Sequence, residues 1–118
     1  MPPTPSRRRS SRCLGIEIVR ELEIPFTSQA DPNRIERSID EAIADAGLAV
    51  TLRTSLKKFP GCVHWHVRRG REPGTLEITY WPKEHRAWFT IQDGRRAGWI
   101  DGQAPLLADA IRRRLRLA

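Results

Sequence analysis

The chain has 118 residues, of which 39% are hydrophobic and 30% are charged, and it carries a formal net charge of +7. This length suits one domain, and this composition is that of a globular protein rather than a disordered one. No apolar run approaches the roughly 20 residues of a membrane span, and no apolar stretch follows the basic start as in a secretory signal. Cys13 and Cys62 stand far apart without metal-motif spacing, which favours free thiols and a cytoplasmic protein.

The positive charge is concentrated at the two ends of the chain. Residues 1–12 carry a formal charge of +4, residues 95–118 carry another +4, and residues 13–94 carry −1. The first twelve residues combine prolines, serines and arginines, so we expect a disordered basic tail ahead of a single domain at 13–118. Cationic segments attract polyanions because they neutralise phosphates and release counterions.

The first predicted element is a strand over residues 14–26. Apolar side chains occupy alternate positions in this segment, which indicates a strand with one solvated face. These positions are Leu14, Ile16, Ile18, Leu22, Ile24 and Phe26.

A helix is predicted over residues 32–46. Asp31 is a good N-cap residue, and Pro32 suits the first helical position. Gly47 is placed to end the helix in the left-handed conformation. The apolar positions recur at helical spacing. They are Ile35, Ile39, Ala42, Ile43 and Ala46.

Four more strands are predicted, over residues 48–58, 62–69, 75–81 and 86–92. Each alternates apolar with polar positions, and short stretches rich in turn-forming residues separate them. Such short links predict an antiparallel meander. Its apolar positions are Leu48, Val50, Leu52, Leu56, Val63, Trp65, Val67, Leu76, Ile78, Tyr80, Ala87, Phe89 and Ile91.

A last helix is predicted from about residue 104 to residue 117, with Pro105 near its start. Trp99 and Ile100 are expected before it, in a short strand or packed at the edge of the core. The element order is then β-α-β-β-β-β-α. Since each strand has one apolar face, both helices should cover the same side of a largely antiparallel sheet. The predicted fold is an α+β two-layer sandwich with the other sheet face open.

Strand parity predicts what lies on the sheet face turned away from the helices, here called the open face. Two tryptophans, two histidines and several cations would share it with Ser55, Lys57, Glu77, Thr79, Thr90 and Gln92. Aromatic rings flanked by cations can stack bases and hold phosphates. The candidate binding residues on this face are Arg53, His64, His66, Arg68, Trp81, Arg86 and Trp88.

Turn lengths predict which residues of the open face are neighbours. Directly opposed residues in a hairpin lie about 5 Å apart. The expected pairs are Trp81 with Arg86, Thr79 with Trp88, Arg53 with His66, and Ser55 with His64. His66 is then expected between Arg53 and either Glu77 or Thr79.

These features favour a binding module for RNA or single-stranded DNA. The open face would supply stacking, and the basic segments would supply electrostatic attachment. The basic residues outside the sheet are Arg112, Arg113 and Arg116 of the last helix and Arg7, Arg8 and Arg9 of the tail.

Two alternatives stay open. The same tryptophan-bearing face would suit a homodimer or another protein partner, because tryptophan and arginine are enriched at binding hot spots. A small enzyme or ligand-binding protein would instead use Cys62, His64, His66 and Glu77.

Catalysis is the less favoured function. The sequence contains no P-loop, nucleophile elbow or paired-carboxylate arrangement, so no catalytic residue is predicted. Alternate residues of one strand lie about 6.5 Å apart, which strains joint ligation by two short side chains. Neither a metal nor another cofactor is predicted.

Overall fold

The computed structural model describes residues 19–27, 29–92 and 98–116. The predicted tail with Arg7, Arg8 and Arg9, and the part of the first predicted strand before residue 19, lie outside this range. The strands are β1 Val19–Glu23, β2 Ala49–Thr54, β3 Val63–Arg68, β4 Leu76–Trp81 and β5 Arg86–Gln92. The helices are α1 Pro32–Asp45 and α2 Gly98–Arg116. A single 3-10 turn, Pro82–Glu84, joins β4 to β5.

The described residues form a two-layer α+β sandwich in the predicted order β-α-β-β-β-β-α. The five strands lie in the order β1-β5-β4-β3-β2, and every neighbouring pair is antiparallel. The meander β2 to β5 forms as predicted, and β1 lies at the edge beside β5. The β4–β5 register pairs Trp81 with Arg86 and Thr79 with Trp88, which confirms the predicted neighbours in this hairpin.

The core lies between the sheet and the two helices. Asp31 caps α1 by accepting a hydrogen bond from the Arg34 amide, and Gly47 follows the helix at φ +76°, as predicted. The apolar stripe of α1 and the inward positions of β3, β4 and β5 are buried together. This cluster includes Ile35, Ile39, Ile43, Trp65, Val67, Leu76, Ile78, Tyr80, Phe89, Ile91, Leu107 and Ile111.

The last helix begins earlier than predicted. Trp99 and Ile100 belong to the first turn of α2, and Pro105 lies inside the helix. An interior proline removes one backbone hydrogen bond and costs about 3 kcal/mol. Burial of Ile100 and of Trp99, whose indole N–H donates to the Pro73 carbonyl at 2.8 Å, opposes that cost. The prediction was wrong because proline was taken to mark the helix start.

A β-bulge in β2 changes the predicted faces of this strand. The register pairs Val50 with Val67 but Leu52 with His66, so two residues of β2 oppose one residue of β3. Arg53 therefore pairs with Trp65 on the helix side of the sheet. The predictions that Arg53 lies on the open face opposite His66, and that Leu52 faces the helices, were wrong because the inserted residue reverses the alternation.

None of the helices in the described part of the chain has both the length and the apolar character that a membrane crossing demands.

Candidate functional site

The β2–β3 loop covers one end of the open face. The Phe59 ring lies with its centroid 5.0 Å from each of the Trp81 and Trp88 rings. The Trp81 indole N–H donates to the Pro60 carbonyl at 3.0 Å. Trp88 is only 2% exposed. The two tryptophans predicted as a stacking platform are thus already packed against a side chain of the protein itself.

The cations predicted for the open face are engaged as well. Arg86 makes two hydrogen bonds to Glu23, at 2.9 and 3.0 Å, and its guanidinium lies 4.6 Å from the Trp88 ring centroid. The hydrogen bond from Arg86 holds the pKa of Glu23 below its ordinary value. Arg68 donates to the Glu72 carbonyl at 3.1 Å. On the other face of the sheet, Arg53 binds Glu36 and Asp40 of α1.

A compact group of His64, His66 and Glu77 lies on the open face. The β3–β4 register places His66 directly opposite Glu77. The Glu77 Oε1 atom is 3.2 Å from His64 Nε2 and 3.9 Å from His66 Nε2. His64 and Glu77 are buried, and the His66 side chain is 21% exposed.

Two further side chains orient this group. Thr79 Oγ1 lies 2.8 Å from His64 Nδ1, which turns the other ring nitrogen toward Glu77. The Gln92 side-chain amide donates a hydrogen bond to Glu77 Oε2 at 2.8 Å. The other carboxylate oxygen, Oε1, faces the imidazoles. Cys62, which was predicted with this group, is buried, and its sulfur accepts a hydrogen bond from the Leu56 amide at 3.3 Å. It is not among the residues whose ligand atoms converge.

A groove of about 670 Å³ lies on the helix side of the molecule, between the chain after β1 and the end of α2. Arg112 and Arg116 line it, one helical turn apart, and both are exposed. Neither forms an ion pair with any described residue. None of the described residues that line the groove carries a carboxylate. Its other lining residues are Pro25, Phe26, Thr27, Gln29, Ala30 and Leu115.

A smaller groove of about 290 Å³ lies between α1 and α2, and Ser38 and Glu41 are among its lining residues. Arg34 and Arg37 line it and make no ion pair with the described residues. Arg114 also lines it, but binds Glu41 at 3.0 Å and Asp45.

The predicted basic residues of α2 thus differ in their environments. Arg112 and Arg116 face the larger groove, whereas Arg113 binds Asp109 on the same helix. Phe26, Arg34 and Arg37 are not among the binding residues predicted from the sequence. The i, i+4 spacing of Arg112 and Arg116 is a signal of a shared helix face, but nothing in the sequence shows that the chain after β1 lies beside them.

The fold and these side-chain groups define a small α+β sandwich with a histidine–carboxylate group on one face and an arginine-lined groove on the other. Comparison of the chain with protein-family models, with curated proteins and with solved structures found no match.

Proposed function

We propose that this protein is a small nucleic-acid-binding module that contacts RNA or single-stranded DNA through the helix side of the molecule. The observation that carries the proposal is the groove in which Arg112 and Arg116 make no ion pair with any carboxylate of the described residues. Two guanidinium groups that no described acid neutralises are available to bind phosphate oxygens, and arginine does so in a bidentate manner.

The remaining groove residues supply contacts for a nucleotide rather than for a bare phosphate. Phe26 is partly exposed there and offers an aromatic face for a base. Thr27 and Gln29 add a hydroxyl and an amide near it. Phe26 also packs against His85, with ring centroids 4.6 Å apart, which holds its ring in place.

This proposal keeps the predicted partner and moves the contact surface. The tryptophans of the open face pack against Phe59, whereas Arg112 and Arg116 of the helix side make no ion pair with any described acid. The basic chain termini would add attachment that depends on charge alone.

The test is a titration of a fluorescent 20-nucleotide single strand of RNA or DNA at several salt concentrations between 50 and 200 mM. The variant is R112Q/R116Q. Its matched control is R69Q/R71Q, which removes the same charge from the exposed turn that follows β3. A third chain lacks residues 1–12.

We expect R112Q/R116Q to weaken binding about tenfold at low salt, as two charge-assisted phosphate contacts are lost. The slope of log K against log salt should fall by about 1.4, because each contact to a single strand contributes about 0.7. The control should change affinity less than threefold. Equal losses in the two double variants, or no binding by the unmodified chain at 50 mM salt, would refute the groove as the binding surface.

Self-association through the open face remains the alternative proposal. Leu52, which pairs with His66, is an apolar side chain on this face with an exposed fraction of 45%. Sedimentation of the chain over a hundredfold concentration range tests it, and a monomer throughout would exclude it.

A further inference from the structure

We propose that His64, His66 and Glu77 form a binding site for a divalent transition-metal ion, of which zinc is the best representative. Neutral imidazole nitrogens and a carboxylate oxygen are the donors that zinc and its neighbours in the first row bind. The three side chains offer one such donor each, and these atoms all lie within 4.8 Å of one another.

The distances are close to those of a bound site. With metal–ligand bonds of about 2.0–2.1 Å in a tetrahedral arrangement, donor atoms lie roughly 3.3 Å apart. Glu77 Oε1 is 3.2 Å from His64 Nε2 and 3.9 Å from His66 Nε2. Binding one ion would require side-chain rotations that shorten the longest of the three donor separations, which is at most 4.8 Å.

The spacing of the two histidines along β3 does not oppose this arrangement. Their rings lie 5.1 Å apart by centroid, at an interplanar angle of 73°, and Glu77 approaches both from the neighbouring strand. A carboxylate from the next strand thus bridges the gap that two alternate residues of one strand leave. The strand-to-strand register, which the sequence alone does not give, supplies the third ligand.

The contacts behind these donors are of the kind that metal sites use. A ligating histidine commonly has its second ring nitrogen bound to an oxygen, which fixes the ring orientation and tautomer. Thr79 Oγ1 plays that part for His64 at 2.8 Å, and Gln92 holds the far oxygen of Glu77 at 2.8 Å. Partial exposure of the His66 side chain leaves an entrance from solvent.

The test uses the untagged chain, treated with EDTA and dialysed, because a polyhistidine tag would bind the same ions. Zinc binding is measured by calorimetry, and cobalt binding by visible absorption, which reports the coordination of the ion. Thermal unfolding with and without zinc gives a reading that needs no variant, since a ligand of the native state raises the unfolding temperature.

The ligand variants are H66A and E77Q, and T79V tests the orienting contact. The matched control is H85A, which removes the one histidine outside the group. C62S controls for binding by the thiol. His66 is the least buried ligand, so H66A is the variant most able to fold.

We expect one zinc ion per chain, with the dissociation constant raised at least 100-fold by H66A or E77Q and about 10–100-fold by T79V. H85A and C62S should change it less than threefold. Absence of zinc and cobalt binding together with no thermal shift would overturn the proposal. Affinity that survives H66A, or that falls equally in H85A, would overturn it as well.

Discussion

Tyr80 is the single tyrosine of the chain, and it is almost wholly buried in the core at 1% exposure. Its ring meets Phe26 edge-on, with centroids 6.4 Å apart. Burial raises the pKa of its phenol above the ordinary value of 10.0, and the carboxylates of Glu36 and Asp31 raise it further. The ionisation of the Tyr80 phenol therefore measures whether this side chain stays buried between β4 and the helices.

Because the pKa of Tyr80 is higher in the folded chain, we expect its ionisation to lower the stability of the fold at alkaline pH. Above pH 10 the unfolded chain releases the phenolic proton while the folded chain keeps it. The free energy of unfolding should therefore fall as pH rises, by up to about 1.4 kcal/mol per pH unit. Urea unfolding of the unmodified chain and of Y80F at pH 9 and pH 11 measures the difference.

At pH 10, absorbance at 295 nm should show less tyrosinate in the native protein than in the unfolded chain, because the pKa of Tyr80 is raised on folding. Half-ionised tyrosine at that pH, or an equal loss of stability in Y80F, would contradict a buried phenol.

At the scale of elements, Asp40 joins α1 to the sheet. Its carboxylate accepts the indole N–H of the fully buried Trp65 at 2.7 Å and lies 3.4 Å from the Arg53 guanidinium. Arg53 in turn lies 5.4 Å from the Trp65 ring centroid. The bulge in β2 brings Arg53 to this side of the sheet, so α1, β2 and β3 meet at one polar contact.

Removal of the Asp40 carboxylate leaves a buried indole N–H without its acceptor. We expect D40A to lower the free energy of unfolding by about 1–3 kcal/mol, the range for an unsatisfied buried donor. D40N should lose less, because its amide oxygen can still accept. D45A is the matched control on the same helix; it breaks only an exposed ion pair with Arg114 and should cost about 0–1 kcal/mol. Equal losses in D40A and D45A, measured by urea unfolding, would show that the Trp65 contact contributes nothing.

On the scale of the whole molecule, the two proposed sites lie on opposite sides of the sandwich. His64, His66 and Glu77 belong to the open face, and Arg112 and Arg116 belong to the helix layer. The sheet and the packed core separate them.

Binding at these two sites should therefore be independent. Energetic effects of groups that share no partners usually add within about 0.3–0.5 kcal/mol. We expect saturating zinc to change the affinity for a single-stranded oligonucleotide by less than about twofold. The titration is repeated with H66A, which corrects for zinc bound by the nucleic acid itself. A change of fivefold or more in the unmodified chain alone would mean that the sites are coupled.

The sequence by itself determined the kinds and order of the elements and much of the core. Period-two alternation in 62–69, 75–81 and 86–92 assigned the faces of β3, β4 and β5 correctly, because a strand side chain has only two directions to point. The cap at Asp31 and the glycine at 47 defined α1, because these effects act within a few residues. Both kinds of signal are local.

Only the tertiary structure decided which side chains are available for function. A single inserted residue in β2 moved Arg53 to the other face, and burial of Trp99 and Ile100 outweighed the local effect of Pro105 on α2. The β2–β3 loop placed Phe59 against Trp88, and the strand register placed Glu77 between two histidines. These outcomes depend on contacts between residues far apart in sequence. The packing energy of such contacts cannot be deduced from the local composition or the hydrophobic periodicity of either segment.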